Sequence, residues 1–218
     1  MISTMDMHIK PIVFDIGCRQ CPRLAGFLEE VKLRNPTYFC KPVPPFGDAN
    51  AKLIIVGLAP GMHGANKTGR PFTGDHAGIL LYETLYKFGF ASKPNSTAND
   101  DDLQLINCRI TNAVKCLPPD NKPLPAEVAT CNQFLVAELQ NLSANSVILA
   151  LGNVAHLAVL KAFNLKIKDY KFGHAARHTL PNGLILVDSY HCSRYNTQTK
   201  RLTQTMFQAV FAAIKAEL

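Results

Sequence analysis

The chain has 218 residues, 47% of them hydrophobic and 18% charged, with a net charge of +7 and a pI near 9.1. That length can bury a sizeable core in one domain over residues 1–218, and the composition excludes a disordered or collagen-like chain. The basic excess suits a phosphate-bearing partner held through counterion release, and equally a solvated basic surface.

No run of about 18 apolar residues occurs, so no membrane span is expected. The opening "MISTMDMHIKPIVFD" lacks a signal-peptide core, and a cytoplasmic chain is expected. Seven cysteines are then many. Their odd number argues against a full disulfide set, and in a reducing compartment clustered cysteines point to metal.

In chain order, "CRQCPRL" comes first and holds Cys18-x2-Cys21, a redox or metal signal. "KLIIVGL" (Lys52–Leu58) is an apolar, β-branched run ending in glycine, the pattern of a buried strand. The segment that follows, "GLAPGMHGANKTGRPFTGD", carries Gly57, Gly61, Gly64, Gly69 and Gly74. It matches neither the dinucleotide fingerprint nor the P-loop; its glycines let backbone approach a ligand, or simply make a long turn-rich connection. Ile79, Tyr82, Leu85 and Tyr86 share one helix face, and Gly89 is placed to stop that helix. "ASKPNSTANDDD" (Ala91–Asp102) reads as a solvated loop.

Further strands are expected in Leu103–Ile110, Ser146–Gly152 and Gly183–Ser189. Helical stripes fall on Val128, Cys131, Leu135, Leu139 and Leu142, on Val154–Phe163, and on Met206, Val210, Ile214 and Leu218 with Phe207 and Phe211 beside them. Strands alternating with helices imply a mainly parallel sheet covered on both faces, with ligands in loops beyond the carboxyl ends of strands. Two loops hold such places: the glycine-rich one, and "HCSRYNTQTKRLT" (His191–Thr203), rich in basic and hydrogen-bonding side chains.

Cys116 and Cys131 form a second pair, with fourteen residues between them. Four thiolates around one centre suit zinc or a [4Fe–4S] cluster; the second pair is not CxxC, so a zinc ribbon fits poorly. Cys131 on an apolar helix stripe reads alternatively as a packed core residue, and Cys108 in a strand pattern as core. Cys40 and Cys192 remain.

Taken together, "GLAPGMHGANKTGRPFTGD", "ITNAVKCLPP" and "HCSRYNTQTKRLT", in that order, resemble the uracil-DNA glycosylase superfamily, and within it family 5, the UDGb type. "CRQCPRL" and "KPVPPFGD" fit the same family, so the resemblance runs from about Cys18 to the last helix. It implies a three-layer α/β/α sandwich around a four-stranded parallel sheet. It also implies a structural [4Fe–4S] cluster on Cys18, Cys21, Cys116 and Cys131, tied in by an N-terminal segment of about residues 15–45.

The activity implied is hydrolysis of the N-glycosidic bond of uracil, and of other deaminated bases such as hypoxanthine and xanthine, in DNA. The enzyme would be monofunctional, leave an abasic site and act as a monomer. The nucleotide must flip out of the stack to be reached. Gly57, Leu58 and Ala59 then line the base pocket, Phe72 stacks on the base, and Asn112 offers its edge both a donor and an acceptor and also assists catalysis. His191 donates to the base oxygen as negative charge develops. Related families place a carboxylate just after the first glycine of the motif, whereas "GLAPG" has none, as in family 5. Asp75 remains, activating water or stabilising the sugar cation, or else only capping the following helix.

In the last loop, Ser193 and Arg194 are expected at the DNA backbone, Tyr195 in the vacated stack, and Arg194, Lys200 and Arg201 on phosphates. A solvated rim is the plainer reading of the basic trio. Cys192 stands where the family has proline. The rivals are a family 4 enzyme, whose glutamate would stand at Leu58, a non-catalytic iron–sulfur DNA-binding protein, and a nucleotide-binding α/β protein.

Overall fold

The computed structural model describes residues 13–140 and 142–218. Most of the stretch read for a signal-peptide core, residues 1–12, lies outside them. Among the described residues, six strands form one sheet: β1 (Phe46–Gly47), β2 (Leu53–Gly57), β3 (Cys108–Asn112), β4 (Val147–Leu151), β5 (Arg177–Thr179) and β6 (Ile185–Ser189), in the order β1-β3-β2-β4-β6-β5. The four inner strands run parallel, and β1 and β5 add one antiparallel strand at each edge. The expected four strands thus omit two. Neither edge strand carries a hydrophobic run: one is two residues long and the other is "RHT".

Among the described residues, seven α-helices connect and cover the sheet: α1 (Pro22–Arg34), α2 (Ala65–Thr68), α3 (His76–Lys87), α4 (Pro125–Leu139), α5 (Asn153–Ala162), α6 (Arg194–Gln198) and α7 (Gln204–Glu217). Strands β2, β4 and β6 are buried on both faces, which is why they read as largely apolar runs, whereas β3, "CRITN", is mixed and leaves Arg109 partly exposed. Alternate residues diverge as the pleat requires. Leu53 and Ile55 meet Leu81 and Leu85 of α3 and Phe207 and Phe211 of α7; Ile54 and Val56 meet Leu135 of α4 and Val159 of α5. A third cluster joins Leu24, Leu28 and Val31 of α1 to Val114, Cys116, Cys131 and Phe134.

Three sequence expectations change. Strand β3 begins at Cys108 rather than Leu103: Asn107 takes φ +48°, and Leu105 makes only an isolated bridge with Ala91. On α3, Leu81, Tyr82 and Leu85 are fully buried, whereas Ile79 and Tyr86 are 64% and 51% exposed, so the core side of the helix is rotated from the expected stripe. The segment Ala91–Asp102 is not merely solvated. Asp101 pairs with buried Arg70 at 2.6 Å and accepts from the Thr97 and Leu103 amides. Gly89 does stop α3: at φ +79° it donates to the Tyr86 carbonyl while Phe90 N–H donates to Leu85, a Schellman closure.

Candidate active site

The sheet order reverses beside β2, and the loops leaving β2, β3 and β6 enclose a cavity of about 640 Å³. Its walls include Leu58, Ala59, Phe72, Asp75, Asn112, His191, Ser193 and Arg194. Residues far apart in sequence meet there because parallel strands deliver their following loops to one end of the sheet.

Phe72 is buried in the left-handed region at φ +58°, an uncommon conformation for an aromatic residue. The turn is pinned from several sides. Tyr82 Oη donates to the Pro71 carbonyl at 2.8 Å, and the Arg70 guanidinium lies 4.4 Å over the Phe46 ring while bound to Asp101. Gly57 lies against the ring: a Cβ there would meet Phe72 Cζ at 2.7 Å and collide with Asn112 Oδ1. The His191 ring stacks over Phe72 at 6.0 Å between centroids and 26° between planes.

Asn112 closes β3. It is 3% exposed, and its Oδ1 is buried with no hydrogen-bond partner. A buried amide oxygen left unpaired carries a desolvation penalty, and here it stands beside the cavity.

Asp75 occupies the N-cap position of α3, yet its carboxylate makes no capping bond to that helix. It turns instead to the β2 loop, where Ala65 N–H donates to Oδ2 at 3.3 Å. A Cβ on Gly61 or Gly64 would collide with the carboxylate, so the glycines make its seat. Burial raises its pKa above the ordinary aspartate range; the Ala65 amide and the nearby His63 act in the opposite direction. Burial pushes the His191 imidazole down to about 4, so it is neutral near pH 7. The pocket therefore holds a neutral ring donor opposite a carboxylate of increased basicity.

The last loop is not wholly irregular: it contains α6. Ser193 caps that helix, accepting from Asn196 N–H at 3.3 Å, so its oxygen already has a structural task. Arg194 borders the cavity, and Tyr195 is 70% exposed. Lys200 lines an adjoining groove with His76 and Glu83 and is not part of the cavity wall. Arg201 is exposed with its guanidinium 4.8 Å over the Tyr190 ring. Asn196, to which no sequence signal pointed, donates from Nδ2 to the His191 carbonyl at 2.8 Å and fixes that loop. His63, Met62, His76 and Asn121 also line the cavity without having been singled out; only His63 and Met62 lie within a motif that was.

Cys18, Cys21, Cys116 and Cys131 line a second, small pocket, and none is in a disulfide. Lys115 N–H points at Cys131 Sγ at 3.3 Å, a donor suited to a sulfur bearing negative charge. Burial raises the Cys116 pKa, and the neighbouring Cys131, Cys18 and Cys21 raise it further, so the four thiols stand together. The other cysteines fall elsewhere: Cys108 and Cys192 are completely buried in the core, and Cys40 packs beside α1.

The parallel sheet with a cavity at its carboxyl edge is an architecture that the family comparison identifies. The sequence model of the Uracil DNA glycosylase superfamily matches residues 44–215, and the chain belongs to that superfamily. It is similar to the type-5 uracil-DNA glycosylase of Thermus thermophilus, 46% identical over 204 residues, 91% of this chain and 93% of the relative. The type-5 enzyme of Pyrobaculum aerophilum is 40% identical, covering 86% and 83%. The type-4 uracil-DNA glycosylase of Archaeoglobus fulgidus is 37% identical over 57% of this chain and 55% of its own length.

Proposed function

We propose that the protein is a type-5 uracil-DNA glycosylase that hydrolyses the bond between deoxyribose C1′ and the base, acting on uracil and on other deaminated bases such as hypoxanthine and xanthine. The observation that carries this reading is the unpaired, buried Asn112 Oδ1 in a pocket shared with Phe72, Asp75 and His191. A flipped base would give that oxygen the donor it lacks and would stack between the Phe72 side and the opposite wall. The type-4 alternative is weakened by the absence of a carboxylate at Leu58 and by the shorter match.

In the mechanism, the C1′–N bond breaks as the sugar gains cationic character and the base leaves with the bonding electron pair. A neutral His191 donates a hydrogen bond to the base oxygen, stabilising charge that exists only late in the reaction. Asp75 orients a water toward C1′ and accepts its proton; the water oxygen becomes the C1′ hydroxyl of the abasic sugar. Among the described residues no lysine lines the cavity for Schiff-base chemistry, so the strand stays intact. Arg194, Lys200 and Arg201 hold phosphates, and Tyr195, exposed at the rim, fills the vacated stack. The protein acts as a cytoplasmic monomer on DNA.

Cys18, Cys21, Cys116 and Cys131 would hold a [4Fe–4S] cluster, which would supply a structural cross-link between the start of α1 and α4. The four free thiols, their shared pocket and the Lys115 amide support that assignment. Iron and sulfide in the purified protein are expected; stoichiometric zinc with no visible absorbance would overturn the assignment.

The test is base release from a duplex with one uracil opposite guanine, with EDTA present, followed by alkali. Alkali-dependent cleavage by the wild type, with Asp75→Asn and His191→Ala both crippled, is the expected result. Salt-sensitive DNA binding without release of uracil, hypoxanthine or xanthine would favour the non-catalytic rival.

A further inference from the structure

Asp188 lies in β6, three residues before His191, at 0% exposure. A buried carboxylate needs a compensating charge. Among the described residues its ion-pair partners are two imidazoles and no lysine or arginine. His156 Nδ1, on α5, is 2.8 Å from Oδ1, and His178 Nε2, on β5, is 3.7 Å from Oδ2. The three ligand atoms lie within 4.8 Å of one another. His178 Nε2 and Asp188 Oδ2 are buried with no hydrogen-bond partner, two orphaned polar atoms facing each other.

The tautomer of His156 follows from its other nitrogen. Nε2 lies 2.9 Å from the Tyr170 carbonyl, which can only accept, so Nε2 carries a proton. In the neutral ring, Nδ1 then presents a lone pair toward the carboxylate. Lone pair against anion is unfavourable unless a proton or a cation lies between them. One added proton, between His156 Nδ1 and the carboxylate, would balance the charge, with a neutral His178 ring turning an Nε2–H toward Oδ2; a single divalent cation instead engages all three ligands at once.

We propose that His156 Nδ1, His178 Nε2 and Asp188 hold one divalent cation of zinc's class, at a site separate from the base pocket and from the four thiols. The donor set of two imidazoles and one carboxylate is one that zinc accepts, and the Tyr170 carbonyl supplies the outer-shell acceptor that fixes a ligating imidazole. At zinc–ligand distances of about 2.0–2.2 Å, ligand atoms stand about 3.3–3.5 Å apart. The 3.7 Å pair is near that value, and the 2.8 Å pair opens by about half an ångström. Tyr170 and Phe172 pack edge-on against the two histidines and shield them, while His178, 18% exposed, leaves the side by which the ion and a fourth, water ligand arrive. The cation ties α5, β5 and β6 together just below the loop that carries His191. This proposal stands apart from the glycosylase assignment.

The test uses the intact protein with its thiol site as isolated, freed of loose metal with EDTA, desalted and titrated with Zn²⁺. One equivalent is expected to bind and raise the melting temperature. Zinc-edge X-ray absorption is expected to show nitrogen and oxygen neighbours at about 2.0–2.1 Å without sulfur. His178→Gln and His178→Ala are expected to weaken binding more than about 100-fold, beyond the loss from an outer-shell partner. Absence of a bound equivalent, sulfur neighbours at about 2.3 Å, or undiminished binding by both variants would overturn the proposal. Should either variant melt early without zinc, the wild-type absorption spectrum decides alone.

Discussion

Asp75 stands at the start of α3, but its carboxylate faces the glycine-rich loop, and that orientation separates its two readings. A helix cap replaced by asparagine keeps most of its stabilising effect, since asparagine caps as well as aspartate. A general base so replaced loses its proton acceptor. Asp75→Asn is therefore expected to lower single-turnover uracil release by about 10²- to 10⁴-fold, with the melting temperature nearly unchanged. The rate should also fall with acid as Asp75 protonates, on a limb displaced upward from the ordinary aspartate range by burial. His63 opposes that displacement, so His63→Gln is expected to move the limb to higher pH in a profile of kcat/KM; an unmoved limb would assign it to another group. His191 titrates differently. Its pKa falls from 6.5 to about 4 on folding, so the unfolded chain binds the extra proton first. Stability owed to the neutral ring is complete above about pH 6.5 and is lost as pH drops toward 4. Across that window the wild type should lose stability relative to His191→Ala as acid is added, and the two denaturant midpoints should run parallel outside it.

At the scale of elements, the glycines of the β2 loop and of the end of α3 illustrate two distinct demands. Gly89 sits at φ +79° with nothing within 4 Å of where a Cβ would stand, so Gly89→Ala is expected to cost about 1 kcal/mol of left-handed strain and leave excision intact. Gly57 has no special φ but lies against the buried Phe72 and Asn112, so Gly57→Ala is expected to cost about 1–3 kcal/mol by overpacking and to abolish base binding as well. Uracil release, measured on both variants beside chemical denaturation, should persist in Gly89→Ala and be lost in Gly57→Ala. Strands β2, β4 and β6 were legible because burial on both faces writes a largely apolar run; the edge strands were not, since they are defined by pairing to a neighbour. Helix α1 hid within "CRQCPRLAGFLEEVKLR", where the cysteines dominate the pattern, although Pro22 at its first position is a start signal. Phe72, Asp75, Asn112 and His191 were legible through motif resemblance. Asn196 and Arg70 were not, because each acts by reaching a carbonyl or carboxylate distant in sequence or in a folded turn.

Over the whole molecule, the +7 charge is less informative than which cations are already neutralised. Arg19, Arg23, Arg34, Arg70, Arg109, Lys115 and Arg177 each have a glutamate or aspartate partner. Arg194, Lys200 and Arg201 are exposed and form no ion pair among the described residues; Arg194 borders the pocket, Lys200 the adjoining groove, and Arg201 lies over the Tyr190 ring. A cation paired within the protein releases few counterions from DNA, because reaching a phosphate first breaks its own bridge. An unpaired one contributes a full unit. The slope of log K against log salt is about −0.9 for each phosphate contacted on duplex DNA. Arg194→Ala is accordingly expected to make that slope shallower by about 0.9, and Arg19→Ala, whose guanidinium holds Glu29 at 2.6 Å, to leave it unchanged. Arg201 lies between these cases, since its guanidinium rests on Tyr190 and must leave that ring, or bridge from it, to meet a phosphate. Fluorescence anisotropy on an uncleavable duplex across a salt series reads all three variants. Equal slopes for Arg194→Ala and wild type would place the phosphate track elsewhere on the surface and leave the last loop with the base alone.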